Sequence, residues 1–387
     1  MLKYIFKGIF PFLLLLIPNL VFAEKLTILH INDHHSHLEA NSRMGLDLDG
    51  ESTRTKSGGF PAVVTKIKEL RSENPNSLTL HAGDATSGTL YFTLFEGEAD
   101  AALMNAVCFD AFVVGNHEFN NGDQGLVTFL DYLKEGNCQT PVLGANVQPE
   151  IGVSPLAKSS ADDYIQPYTI VERNGEKIGI IGIVISRKTK MSSNPDDTTM
   201  FLDEVTTAQK YADELKSQGV DQVILLSHYG YENDLALAQN TSGIDIIVGG
   251  DSHSLLGDLS DLGLKPSGSY PTMVNDASGN DVCVVTAWQY SQILGELHAE
   301  FDDKGNITSC IGTPHMMLAD SFKRKNSDGE RVEIEEGYRD AVYSVIKVNP
   351  SLSIVEPDAD AQALLAGYSS KIDEFSSKII GSVSEDL

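Results

Sequence analysis

The chain has 387 residues and a formal net charge of −27, from 55 acidic against 28 basic side chains. That balance excludes the basic footprint of a nucleic-acid-binding protein, and it repels anions, so any phosphate chemistry here must bring its own cations. The length allows one large domain and part of another.

Residues 1–23 carry the three-part pattern of a secretory signal. Lys3 and Lys7 open it, an apolar run over 9–17 follows, and Val21-Phe22-Ala23 puts small side chains at the −3 and −1 positions before Glu24. The run is too short, and too broken by Pro11 and Pro18, for a good bilayer span. The expectation is a secreted protein, periplasmic or extracellular, with no stable membrane insertion after cleavage. An uncleaved anchor is the alternative.

From 25 to about 248, short β-branched or aliphatic runs (26–31, 78–82, 112–114, 142–145, 178–185, 222–226 and 244–248) alternate with amphipathic stretches of helical period. Residues 60–71, with Val63, Val64, Ile67 and Leu70 on one face, and residues 203–218 are two such stretches. Strands alternating with helices predict an α/β domain with largely parallel pairing. Residues 281–288, 292–302 and 306–312 then read as consecutive antiparallel strands, so the sheet system is mixed. From about Ala319 the chain turns polar, and 357–380 reads as one helix with apolar residues at three- and four-residue steps.

Cys108 and Cys138 each precede an apolar run, and would start side by side if those runs are neighbouring strands. Cys283 and Cys310 would then pair across a strand meander. Four buried thiols remain the alternative.

Ligands in α/β sheets gather beyond the carboxyl ends of strands, and here those ends carry metal-binding residue types. Asn32-Asp33-His34-His35-Ser36-His37, Gly83-Asp84, Gly115-Asn116-His117-Glu118, Ser227-His228 and Gly249-Gly250-Asp251-Ser252-His253 each follow a candidate strand. A lone Gly-Asp is usually a turn, and a lone Ser-His usually a satisfied histidine. Five such groups together point to a divalent transition-type ion, because carboxylate, imidazole and amide oxygen are mixed. A structural zinc site would be closed and usually rich in cysteine.

The order and wording of these motifs resemble calcineurin-like metallophosphoesterases. The text around Ile28-Leu29-His30-Ile31-Asn32-Asp33 and Gly115-Asn116-His117-Glu118-Phe119 is similar to the bacterial 5′-nucleotidase branch, which includes periplasmic UDP-sugar hydrolases. The resemblance covers about residues 25–315. It implies a four-layer sandwich of two mixed β-sheets flanked by helices, followed by a long linker helix. It also implies a catalytic domain over 24–318, with 319–387 as linker and the start of a further substrate domain.

The resemblance further implies two divalent ions (Mn, Zn, Co or Mg). Asp33, His35 and His253 would hold one, Asn116, His228 and Asp251 the other, and Asp84 would bridge them. His117 would steady the transferring phosphoryl group or protonate the leaving oxygen. The family usually has His where this chain has Asp251, which lowers the positive charge of the site. It often has Asp where this chain has Asn120, which can accept a hydrogen bond from the His117 ring but brings it no charge.

His34 and His37 stand beside the donors as supporting or solvent-facing groups, and His30 and His81 as core histidines. Trp288 and Tyr290 read as core and loop aromatics. The implied activity is hydrolysis of nucleoside 5′-monophosphates, with UDP-sugars or dinucleotides as further substrates, by water activated at the metals. A 2′,3′-cyclic nucleotide phosphodiesterase and a secreted surface protein with a relic site are the alternatives.

Overall fold

The computed structural model describes residues 24–378. The signal pattern over 1–23 and the stretch 379–387 lie outside them. The expected pair of mixed sheets is present.

The larger sheet runs in the order Asn41–Leu48, Glu51–Ser57, Ile307–Lys325, Ile293–Phe301, Glu24–Ile31, Leu78–His81, Ala111–Val113, Val142–Leu143. The smaller runs Thr272–Asn275, Asp281–Thr286, Ile246–Gly249, Gln222–His228, Glu176–Val184, Tyr168–Arg173. In the larger sheet, Glu24–Ile31, Leu78–His81 and Ala111–Val113 are parallel neighbours. In the smaller one, Glu176–Val184, Gln222–His228 and Ile246–Gly249 are parallel neighbours.

These central strands are apolar on both faces because both faces are covered. Leu26 and Ile28 join Leu78, Leu80, Ile224, Leu226, Ile246 and Val248 in the layer between the sheets. Leu29 and Ile31 point the other way, into a core shared with helices Phe60–Glu73, Glu98–Val107 and Gly122–Glu135. Helices Glu204–Ser217 and Tyr231–Asn240 cover the far face of the smaller sheet. Helix, sheet, sheet, helix gives the four layers. No described helix is long and apolar enough to cross a membrane.

Both cysteine pairs are bonded, with Cα separations of 5.4 Å for Cys108–Cys138 and 6.5 Å for Cys283–Cys310. The second does not bridge a meander within one sheet. Cys283 belongs to the smaller sheet and Cys310 to the larger, so the bond staples one sheet to the other.

Strand Ile307–Lys325 is 19 residues long and runs straight through the boundary expected at 318. Met316, Leu318 and Phe322 are buried on one face of it and pack beneath helix Glu336–Val348, while Met317 is buried on the other. The final helix spans Ala359–Ser376 rather than 357–380, because the Asp358 carboxylate accepts from Ala361 N and fixes its start.

Glu296 couples strands Ile293–Phe301 and Ile307–Lys325 electrostatically. Its Oε2 lies 2.7 Å from His315 Nε2 and its Oε1 lies 3.2 Å from His298 Nε2. Burial works to raise its pKa, but the two imidazoles outweigh it and hold the carboxyl at about 2. A pKa depressed on folding stabilises above the ordinary carboxyl value and ceases to do so as pH falls through the folded value. Glu296→Gln is therefore expected to cost about 1–2 kcal/mol near pH 5.5, discounted for partial exposure, and nothing near pH 2. Denaturant melts at the two pH values check it, and an equal loss at both would remove the account.

Candidate metal centre

Every sequence-predicted donor sits at or just past the carboxyl end of a parallel strand, in three groups from the larger sheet and two from the smaller, which adds the unpredicted segment 185–188. Residues 32–37, 83–84 and 115–118 follow strands of the larger sheet, while 185–188, 228 and 250–253 end or follow strands of the smaller. The site is the seam at one end of the sandwich, where the carboxyl ends of the facing strands of both sheets come together.

The backbone there is unusual. Asp33, His35, Asp84, Asp251 and His253 all hold positive φ, between 48° and 71°. Side-chain-bearing residues avoid that region, and such outliers concentrate at functional sites. Gly115 is required for packing, since a Cβ there would run into Asp84 Oδ1 and the His228 ring.

Among the described residues three donor sets converge within 4.8 Å: Asp33, His35 and His253; His35, Asp84 and His117; and Asp33, Asp84 and His228. His35 Nε2 lies 3.0 Å from His253 Nε2 and 3.6 Å from Asp84 Oδ2. His253 Nε2 is 3.4 Å from Asp33 Oδ1. His228 Nδ1 donates to the Ala82 carbonyl at 2.7 Å, which turns Nε2 toward the carboxylates as the ring's free position. That atom is 3.0 Å from Asp84 Oδ2 and 3.9 Å from Asp33 Oδ1, yet makes no aligned hydrogen bond. Both amide atoms of Asn116 are buried without a partner.

Orphaned buried donors and acceptors are rare and need a reason. A cation at their focus supplies one, and the mixture of carboxylate, imidazole and amide oxygen suits a first-row divalent ion. The electrostatics agree. Burial works against charge on His228, but the carboxylates of Asp84 and Asp33 draw its pKa well above the ordinary imidazole value. Burial also opposes charge on Asp84, and His228 with His35 still holds it well below the carboxylate range. Burial lowers His35 to about 4. The pocket carries excess negative charge and attracts cations.

Asp251 stands apart from the three sets. Its Oδ1 is 3.7 Å from His228 Nε2, but the same oxygen is bonded to the Lys188 ammonium. Asn120 meets His117 as expected, in the opposite sense: its Nδ2 donates to His117 Nδ1 at 2.9 Å, and Ser87 Oγ lies 3.0 Å from the same nitrogen. The amide oxygen does not accept from the ring.

Supporting residues extend inward. The Glu118 carboxylate accepts from the backbone N–H groups of Asp84, Ala85, Thr86 and Gly115, tying two donor loops together. Behind them runs a buried relay. Gly83 N donates to His81 Nδ1, His81 Nε2 then donates to His34 Nδ1 (2.8 Å), and His34 Nε2 to Asp100 Oδ1 (3.1 Å). Burial lowers His34 to about 3, so the ring stays neutral and each of its nitrogens keeps one role. His34 is thus a supporting group, and His81 is a hydrogen-bonded core histidine that links it to the Gly83 backbone.

His37 donates from Nδ1 to the His35 carbonyl and stacks on Tyr290 at 3.9 Å. Tyr290 in turn edges onto His35 and His253, closer to the donors than a loop aromatic. His30 is a core histidine bonded to Tyr270. Sequence reasoning missed Lys188 and Asp100. For Lys188 a signal existed, because it follows a strand of the same parallel set. Asp100 gives none, being one acid inside a helix.

The description calcineurin-like phosphoesterase matches residues 26–255 of the chain. The chain is 43% identical over 360 residues to the probable 5′-nucleotidase of Treponema pallidum, across 92% of this chain and 59% of that protein. It is 41% identical over 362 residues to the NAD 5′-nucleotidase of Haemophilus influenzae, across 93% and 58%. The chain thus spans somewhat under two thirds of these curated relatives. The solved structure of the Haemophilus NAD nucleotidase superposes with a TM-score of 0.87, covering 93% of this chain and 70% of that one. A 5′-nucleotidase precursor from Thermus thermophilus gives 0.74 at 33% identity, covering 92% and 61%.

Proposed function

The chain belongs to the calcineurin-like phosphoesterase family, and on that basis we propose that it hydrolyses nucleoside 5′-monophosphates at a centre of two divalent ions. The single observation carrying this reading is the convergence of Asp33, His35, Asp84, His228 and His253 on one seam beside an Asn116 amide with no partner. In the reading, Asp33, His35 and His253 hold one ion, and Asn116, His228 and Asp251 the other. Asp84 faces both. The ions, when bound, supply the acidity that makes water a nucleophile near neutral pH and the positive charge that steadies phosphoryl oxygens.

The protein's own groups orient and deliver protons. Asn120 donates into His117 Nδ1, so the neutral ring carries its hydrogen on Nε2. That hydrogen can bond a phosphoryl oxygen; passing a proton to the leaving ribose oxygen instead requires the protonated ring, with the Asn120 amide turned so that its oxygen accepts from Nδ1–H. Glu118 and the His81–His34–Asp100 relay hold the donor loops at the spacing the ions require.

NAD-type dinucleotides are a second substrate class, favoured by the name of the Haemophilus relative. Export to an oxidising compartment is part of the proposal, supported by the bonded pairs Cys108–Cys138 and Cys283–Cys310. In this reading the catalytic unit continues past 318 to include the rest of strand Ile307–Lys325, and helix Ala359–Ser376 follows it as connector.

The test is a substrate panel on chelator-stripped protein, with Mn, Zn, Co and Mg added back separately. AMP is expected to release phosphate only after metal is restored, faster than 2′,3′-cyclic AMP, with UDP-glucose and NAD as further arms. Metal-independent release, or preference for the cyclic nucleotide, would overturn the reading.

A further inference from the structure

We propose that Lys188 is the counter-charge that permits an aspartate at position 251, and that its ammonium is the protein's own cation for the substrate's phosphoryl group. The inference rests on the two-ion reading above. Two divalent ions facing the carboxylates of Asp33, Asp84 and Asp251 keep one positive charge, where a histidine at 251 would leave two. The lysine restores the second.

The placement supports this. Lys188 lies on helix Ser186–Ser192, entered directly from strand Glu176–Val184, which pairs with the strand ending at His228. Its helix is pinned: Ser186 N and Oγ both donate to Glu204 Oε1 at 2.7 Å. The ammonium is bonded to Asp251 Oδ1, on a side chain only 10% exposed, while the lysine side chain itself is 39% exposed. The ammonium is therefore committed to the site on a side chain that solvent still reaches. The remaining ion pairs found for Asp33, Asp84 and Asp251 among the described residues involve only histidines. In a chain of net charge −27, a fixed ammonium beside the seam is a rare attraction for phosphate.

A charge-compensating lysine and a purely structural one differ in what their removal does to metal. Deleting the ammonium leaves the Asp251 carboxylate uncontested, so metal binding tightens while phosphate binding weakens. A structural lysine would weaken both. The experiment measures Mn affinity of chelator-stripped protein by calorimetry, KM for AMP, and inhibition by inorganic phosphate. The proteins are wild type, Lys188→Met, Lys188→Arg, and Lys188→Met combined with Asp251→His.

Lys188→Met is expected to raise KM and the phosphate inhibition constant about tenfold, and to tighten Mn binding about threefold. Lys188→Arg should stay within about twofold of wild type, because the charge is kept. The double variant should recover phosphate binding, since histidine at 251 no longer needs a partner. Parallel weakening of metal and phosphate, unchanged phosphate inhibition in Lys188→Met, or no recovery in the double variant would each overturn the proposal. Wild-type protein that binds Mn and phosphate but leaves AMP intact would overturn the functional reading alone. Failure to bind Mn would overturn both.

Discussion

Asp84→Asn is expected to lower kcat about a thousandfold or more and to reduce Mn binding by one equivalent, while leaving the protein folded. Asp84 belongs to two of the three donor sets, and its Oδ2 lies within 3.6 Å of His35 Nε2 and 3.0 Å of His228 Nε2. Its other oxygen accepts from His117 N at 2.8 Å, a bond that an asparagine oxygen can keep. The substitution conserves volume and removes a charge that ions would share, so the loss falls on charge stabilisation during the reaction. The depressed pKa of Asp84 means that its charge is net favourable beside His228 and His35, so thermal stability without metal should fall in the asparagine variant. Activity within tenfold of wild type, or unchanged metal stoichiometry, would show that Asp84 bridges nothing.

The largest expected loss of stability lies at the carboxylate that holds the Asp84 backbone, in Glu118→Ala. Four backbone N–H groups donate to that carboxylate, and Thr86 Oγ1 adds a fifth donor at 3.2 Å. Glu118 is buried, so alanine strands those donors in a cavity. Each unsatisfied buried donor costs about 1–3 kcal/mol, and water entering the cavity makes the sum less than additive. A loss of about 4–6 kcal/mol remains, which is a large share of a typical folding free energy. Glu118→Gln should fall between, because its oxygen can serve one pair of donors while its NH2 opposes the other. Urea unfolding of chelator-stripped protein reads both variants. An alanine variant within about 1 kcal/mol of wild type would mean that solvent reaches these donors freely.

The parallel strands and their terminal donors were legible because both depend on local pattern. An apolar run such as Leu225-Leu226 followed by Ser227-His228 carries its own signal, and five repetitions made the site readable without contacts. The first hairpin, Asn41–Leu48 with Glu51–Ser57, escaped because its outward face is charged and only Met44, Leu46, Leu48, Thr53, Thr55 and Ser57 point inward. Helix Glu336–Val348 escaped for a similar reason, since just Val342 and Ile346 are fully buried. Cys283 and Cys310 were correctly paired, yet no sequence pattern says that their strands belong to different sheets. Asp251 shows the limit most clearly. Its residue type marked a departure from the family, but the partner that answers it lies 63 positions earlier and is visible only in three dimensions.

The left-handed backbone of the donor residues bears on how this protein could change over generations. Asp33, His35, Asp84, Asp251 and His253 each occupy a conformation that glycine adopts freely and that costs other residues on the order of 1 kcal/mol. Glycine at any of them would relax the chain and empty that position of its side chain in one step. Glycine also widens the unfolded ensemble by a comparable amount, so the strain at these five places cannot be shed for free: it goes only with the side chain that binds.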